Sequence, residues 1–81
     1  MKITIDPHSA DHPYVQLADQ LRDGIRRGEI GPLVPSLHEL CAQTGLSLNT
    51  VRRAVQMLAA EGLVYGVPGR GTFVRGPAGS G

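Results

Sequence analysis

Only four residues, Thr44-Gly45-Leu46-Ser47, separate two runs that each read as helix. The first run opens at Ser36, where "SLHE" sets Glu39 three residues after a serine. That is capping-box spacing, in which each side chain satisfies the other residue's backbone N–H. The run carries Leu37, Leu40 and Cys41 inward and stops at Gly45. The second opens at Ser47, another N-cap type, and carries Val51, Ala54, Val55 and Leu58 to a stop at Gly62. So short a connection forces the two helices to cross in contact. The crossing wants a small residue, the turn a left-handed backbone, and the second helix an apolar anchor. Cys41, Gly45 and Val51 meet those needs in order.

The rest of the chain frames this pair. "KITI" alternates, with Ile3 and Ile5 on one face, and predicts a short N-terminal strand. After the turn-rich "DPHSADHP", Asp11 or His12 can cap a helix with Pro13 at its first position. Tyr14, Leu17, Ala18, Leu21 and Ile25 then recur at helical spacing as far as Gly28, with Gly24 marking a close approach. "GEIGPLVP" cannot stay helical and is a linker. "LVY" and "TFVR" are short strands joined by the Gly- and Pro-rich loop "GVPGRG". The expected architecture is mainly α with a small β wing: three helices, a β-hairpin and a short N-terminal strand, a winged helix-turn-helix over residues 1–75. "GPAGSG", residues 76–81, reads as disordered tail or linker. The expected core is Tyr14, Leu17, Leu21, Leu40, Leu46, Val51, Val55, Leu58, Leu63, Val64 and Phe73.

At 81 residues there is room for one domain. No apolar run reaches the roughly 18 residues of a membrane span. The single cysteine permits no internal disulfide and suits a reducing cytoplasm. Charge is divided unevenly. Residues 1–40 carry Lys2, Arg22, Arg26 and Arg27 against six acids, whereas residues 41–81 carry Arg52, Arg53, Arg70 and Arg75 against Glu61 alone. That is −2 against +3, and every cation of the second half is arginine, whose planar fork suits phosphate and base edges. An anionic partner therefore belongs on the C-terminal half.

Enzymatic readings fail for lack of material. His38 and Cys41 supply two metal ligands at most, and structural zinc wants four. "GVPGRG" lacks the Lys-Ser/Thr and the following helix of a phosphate-binding loop. No cofactor is expected.

A helix fits the major groove of DNA, and its first turns reach base edges. Ser47, Leu48, Asn49, Thr50 and Arg52 lie in those turns, off the Val51–Val55–Leu58 stripe. Arginine pairs bidentately with guanine and asparagine with adenine, while Leu48 suits a thymine methyl. Arg53 suits a phosphate contact or plain surface better than base reading. Arg70, between Gly69 and Gly71, can bring a cation and a closely approaching backbone to a minor groove. The amides near Ser36 and His38, at the start of a helix, suit a phosphate oxygen. Arg26 and Arg27, ending the first helix, are structural.

"YVQLADQLRDGIRRGEI", "VPS", "GLSLNTVRRAVQMLAAEGLV" and "GRGTFV", in that order over residues 3–75, resemble the N-terminal DNA-binding domain of the GntR family of bacterial transcription regulators. The resemblance implies a winged helix binding a palindromic operator as a homodimer, usually with a C-terminal effector or oligomerisation domain that these residues do not contain. A small-molecule effector would then bind outside them. It places Ser47, Thr50 and Arg52 at recognition-helix positions and Gly69 with its neighbours at the wing tip. Three places depart from the family's pattern. "PSLH" stands where "PSER" is usual, Leu48 follows Ser47 in place of an arginine, and the linker "GEIGPLVPS" is shorter than its commonest form. A winged helix can also serve as a protein–protein adaptor. The arginine-only, nearly acid-free second half favours nucleic acid.

Overall fold

The computed structural model describes residues 2–75; the expected tail over 76–81 lies outside them. Pro13, whose missing N–H costs nothing in a first turn, opens α1 (Pro13–Arg26), with His12 at the N-cap. Ser36 opens α2 (Leu37–Thr44) by accepting the Glu39 N–H at its Oγ, 3.1 Å. Gly45 closes α2 in the left-handed region at φ 76°, its N–H bonded to the Cys41 carbonyl at 2.8 Å. A side chain there would pay roughly 1–2 kcal/mol in backbone strain. Ser47 then opens α3 (Leu48–Ala60). The turn falls where the spacing predicts it but is one residue shorter, because Thr44 is still helical and only Gly45, Leu46 and Ser47 lie between α2 and α3.

The hairpin is longer in strand and shorter in loop than its composition suggests. β1 (Val64–Val67) and β2 (Gly71–Val74) pair antiparallel from Val64↔Val74 to Val67↔Gly71. Only Pro68, Gly69 and Arg70 remain between them. The Arg70 N–H reaches the Val67 carbonyl at 2.9 Å, and Gly69 has φ 77°. Pro second and a left-handed Gly third make this a type II turn. Gly66, Val67 and Gly71 are thus strand residues, not loop. The linker also pairs: Leu33 bridges Phe73, the Val34 N–H reaches the Thr72 carbonyl at 2.9 Å, and the Val74 N–H reaches the Pro32 carbonyl at 2.7 Å. Pro32–Val34 therefore covers the free edge of β2 and leads straight into the Ser36 cap.

The core is Leu17, Ala18 and Leu21 of α1, Leu40 of α2, Val51, Ala54 and Leu58 of α3, and Val64 of β1, closed by Ile30 and Val34 of the linker. Each fully buried leucine contributes about 1.5–3 kcal/mol of transfer free energy. Ala18 and Ala54 supply the short side chains among these larger ones. Tyr14, Leu46, Val55 and Leu63 pack at its margin half-buried. Phe73 does not join it. Its cross-strand partner is Tyr65, on which it stacks at 6.0 Å, whereas Val64 and Val74 take the inward face.

The predicted N-terminal strand is absent: Lys2–Ile5 joins no sheet among the described residues. Ile3 and Ile5 do pack against the core, as their alternation requires. The backbone between them is satisfied by side chains instead. The Thr4 N–H donates to Gln20 Oε1 at 2.9 Å, and Gln20 Nε2 donates to the Thr4 carbonyl at 2.6 Å. Gln16 pairs with both backbone groups of Asp6 in the same way, at 2.7 and 2.9 Å. Four residues of helix rise about 6 Å and two of extended chain about 6.6 Å, so the two carboxamides match alternate backbone units.

Candidate nucleic-acid interface

α3 turns one face to α1 through Val51, Ala54 and Leu58, which leaves Asn49, Arg52, Arg53 and Gln56 exposed on the other. Its first turn is locked from within. Ser47 Oγ accepts the Thr50 N–H at 3.3 Å and lies 2.9 Å from Thr50 Oγ1. These two hydroxyls therefore hold each other while shaping the start of the helix. Leu48 is half-buried beside them. One turn on, Arg52 Nη1 donates to Asn49 Oδ1 at 3.2 Å. That bond orients the guanidinium without neutralising it, and the Asn49 amide keeps both of its N–H donors free.

A second group forms where the wing meets α2. Ser36, Leu37 and Glu39 line a cleft with Gly69, Arg70 and Gly71. The linker pairing described above fixes this neighbourhood, because Val34 is bonded to β2 two residues before the Ser36 cap. His38 is exposed on α2 but does not line that cleft. Glu39 supplies an acid inside it, so the cleft is less purely cationic than the arginine count implies.

Among the described residues the carboxylate-paired arginines are Arg22 and Arg27; Arg52, Arg53 and Arg70 form no ion pair. Arg27 bridges Asp23 at 3.1 Å within the end of α1, which accords with its structural reading. Arg53 instead lies over the Tyr14 ring, its Cζ 4.3 Å from the centroid. Gln56, Tyr14 and His12 add to this surface beyond the residues that the sequence marks. Gln56 had a local signal, since it stands one turn beyond Arg52 and two beyond Asn49. Tyr14 had none, because its contact with Arg53 joins two elements.

The family model described as "Bacterial regulatory proteins, gntR family" matches residues 13–74. The chain belongs to that family. The HTH-type transcriptional repressor NagR of Bacillus subtilis (strain 168) is 46% identical over 66 residues, covering 79% of this chain and 27% of that protein. The arabinose metabolism transcriptional repressor of Geobacillus stearothermophilus is 39% identical over 66 residues, or 79% and 18% of the two chains. The chain thus spans about a quarter or less of the length of these GntR relatives. Among solved structures, the AraR DNA-binding domain in complex with operator ORX1 superposes with a TM-score of 0.82 at 34% identity, over 91% of this chain and 96% of that one. YtrA from Sulfolobus acidocaldarius, a GntR-family transcription factor, gives 0.85 at 34% identity over 96% and 84%. The winged helix-turn-helix expected from the sequence is the fold, and GntR proteins are regulators, not enzymes.

Proposed function

We propose that this domain reads double-stranded DNA on behalf of a bacterial transcription regulator, most simply a repressor that occupies its operator. The observation that carries the reading is the exposed face of α3, where Asn49 and Arg52 are held in one hydrogen-bonded pair with no ion-paired carboxylate among the described residues. The same fold in the AraR domain is bound to an operator.

In this reading α3 enters the major groove. Arg52 and Asn49 address base edges, Leu48 meets a thymine methyl, and Ser47 and Thr50 set the pitch of the first turn. Arg53 faces the phosphate backbone. Gly69, Arg70 and Gly71 bring the wing to the adjacent minor groove, and Ser36 with His38 presents the start of α2 to a phosphate. Two copies placed about 34 Å apart along the duplex would read a palindrome, which makes a homodimer the working form. The site of action is the cytoplasm, and any effector is read by a domain beyond these residues.

Selection of bound duplexes from a random pool, followed by salt titration, tests the reading. The expected result is an enriched half-site and a log K that falls linearly with log salt, by about 0.9 per phosphate contacted. A protein that passes through heparin and random DNA at low salt would instead be an adaptor.

A further inference from the structure

We propose that Tyr14 and Arg53, flanked by His12, form a phosphodiester clamp at the start of α1, gripping the DNA backbone beside the groove that α3 occupies. This rests on the DNA-reading function above and adds a contact to it from a second helix.

Three observations converge there. Arg53 is fixed over the Tyr14 ring at 4.3 Å and has no carboxylate partner among the described residues. Stacking on a ring holds the guanidinium plane still while its charge and N–H donors stay available. His12 occupies the N-cap of α1, yet its side chain caps nothing; it lies parallel to Tyr14 instead, with ring centroids 6.0 Å apart and an interplanar angle of 11°. Arg53 and His12 thus both lie against the Tyr14 ring. Finally, they open onto a cleft whose other walls are Pro13, Leu46 and Thr50. Thr50 is part of the first turn of α3, so the cleft adjoins the reading face directly. Asp11, the nearest acid in sequence, lines no part of it.

A phosphodiester oxygen fits this place chemically. Arg53 can donate to it with the charge-assisted bonds that anions favour, and the Tyr14 hydroxyl can add a neutral donor. Neither group reads a base, so the clamp contributes affinity without sequence preference. It also accounts for an arginine on α3 that looks back toward α1 instead of along the row of Asn49 and Arg52.

The test measures affinity and salt slope on the selected duplex and on a random one, with melting temperature as the control for folding. Arg53→Ala should weaken both duplexes several-fold by the same factor and reduce the salt slope by about 0.9, one phosphate contact. Arg53→Lys should restore the slope but not the full affinity, because an ammonium lacks the stacking plane. Tyr14→Phe should cost less than Arg53→Ala, and Tyr14→Leu should weaken binding far less in the Arg53→Ala background than alone. Wild-type slope and affinity in Arg53→Ala, or additive losses for Tyr14→Leu and Arg53→Ala, would overturn the clamp. Arg52→Ala is run alongside: if it changes sequence preference while the Arg53 and Tyr14 variants change nothing, the clamp falls and DNA reading stands. If the wild-type protein binds no duplex, both fall.

Discussion

α3 has arginine beside it at both ends, held by opposite means. At its C-terminal end Arg22 of α1 forks onto the Glu61 cap residue, Nε to Oε1 at 2.8 Å and Nη2 to Oε2 at 2.6 Å, and spends its remaining nitrogen on Asp19 at 2.6 Å. Hydrogen bonding to Glu61, then to Asp19, pushes the Arg22 guanidinium above its ordinary value, and Arg22 in turn holds the Glu61 carboxyl below its own. At the N-terminal end Arg52 is steadied by an amide and Arg53 by an aromatic ring. An arginine answered by two carboxylates is a strut, its single charge already outweighed and unwelcoming to an outside anion. One positioned by neutral groups is ordered and still charged.

The largest effect should come from the frame both ends share. Leu58 is fully buried, and Leu58→Ala should cost about 2–5 kcal/mol in urea unfolding, the transition staying single. Two separate transitions would mean that the ends fold independently. Arg52→Ala should come next, losing about 1–3 kcal/mol of discrimination between the selected duplex and its single-base variants while the melting temperature holds. Arg22→Ala should do the reverse, lowering the melting temperature and leaving discrimination intact. If the two substitutions gave the same profile, the contrast between strut and reader would collapse. The smallest effect is in acid. Glu61 has a folded-state pKa below its unfolded one, so the stability it lends is full above the ordinary carboxylate range and is lost as pH falls through the depressed value. Thermal melts across pH should show the wild type losing more stability toward acid than Glu61→Gln. Identical profiles would show that the bridge is idle.

What could be seen in advance was what neighbours in sequence decide. Ser36, Gly45 and Ser47 cap or stop helices through groups within four residues, and the spacing of Asn49 and Arg52 on one face follows from the helical repeat alone. What escaped depends on partners far along the chain. "KITI" alternates as a strand does, but its backbone is met by Gln16 and Gln20, whose polar side chains read as ordinary helix surface. The glycines and prolines of the linker rule out helix, yet Val34 retains an N–H that β2 can use, and Ile30 and Val34 close the core. Phe73 was placed inward on hydrophobicity; the pairing Tyr65↔Phe73 sends it outward with its partner. The Arg53–Tyr14 stack spans two helices 39 residues apart in chain numbering, beyond the reach of any local pattern.

Because Pro32–Val34 is hydrogen-bonded along β2 and runs into the first turn of α2, the hairpin and the helix-turn-helix are two jaws of one caliper. Their separation is set by a backbone splice, so in the proposed complex the spacing between a groove and its neighbour would be gauged by main-chain geometry before any side chain engages. A duplex of the wrong pitch would have to break that splice, or bend itself, to be held at both places.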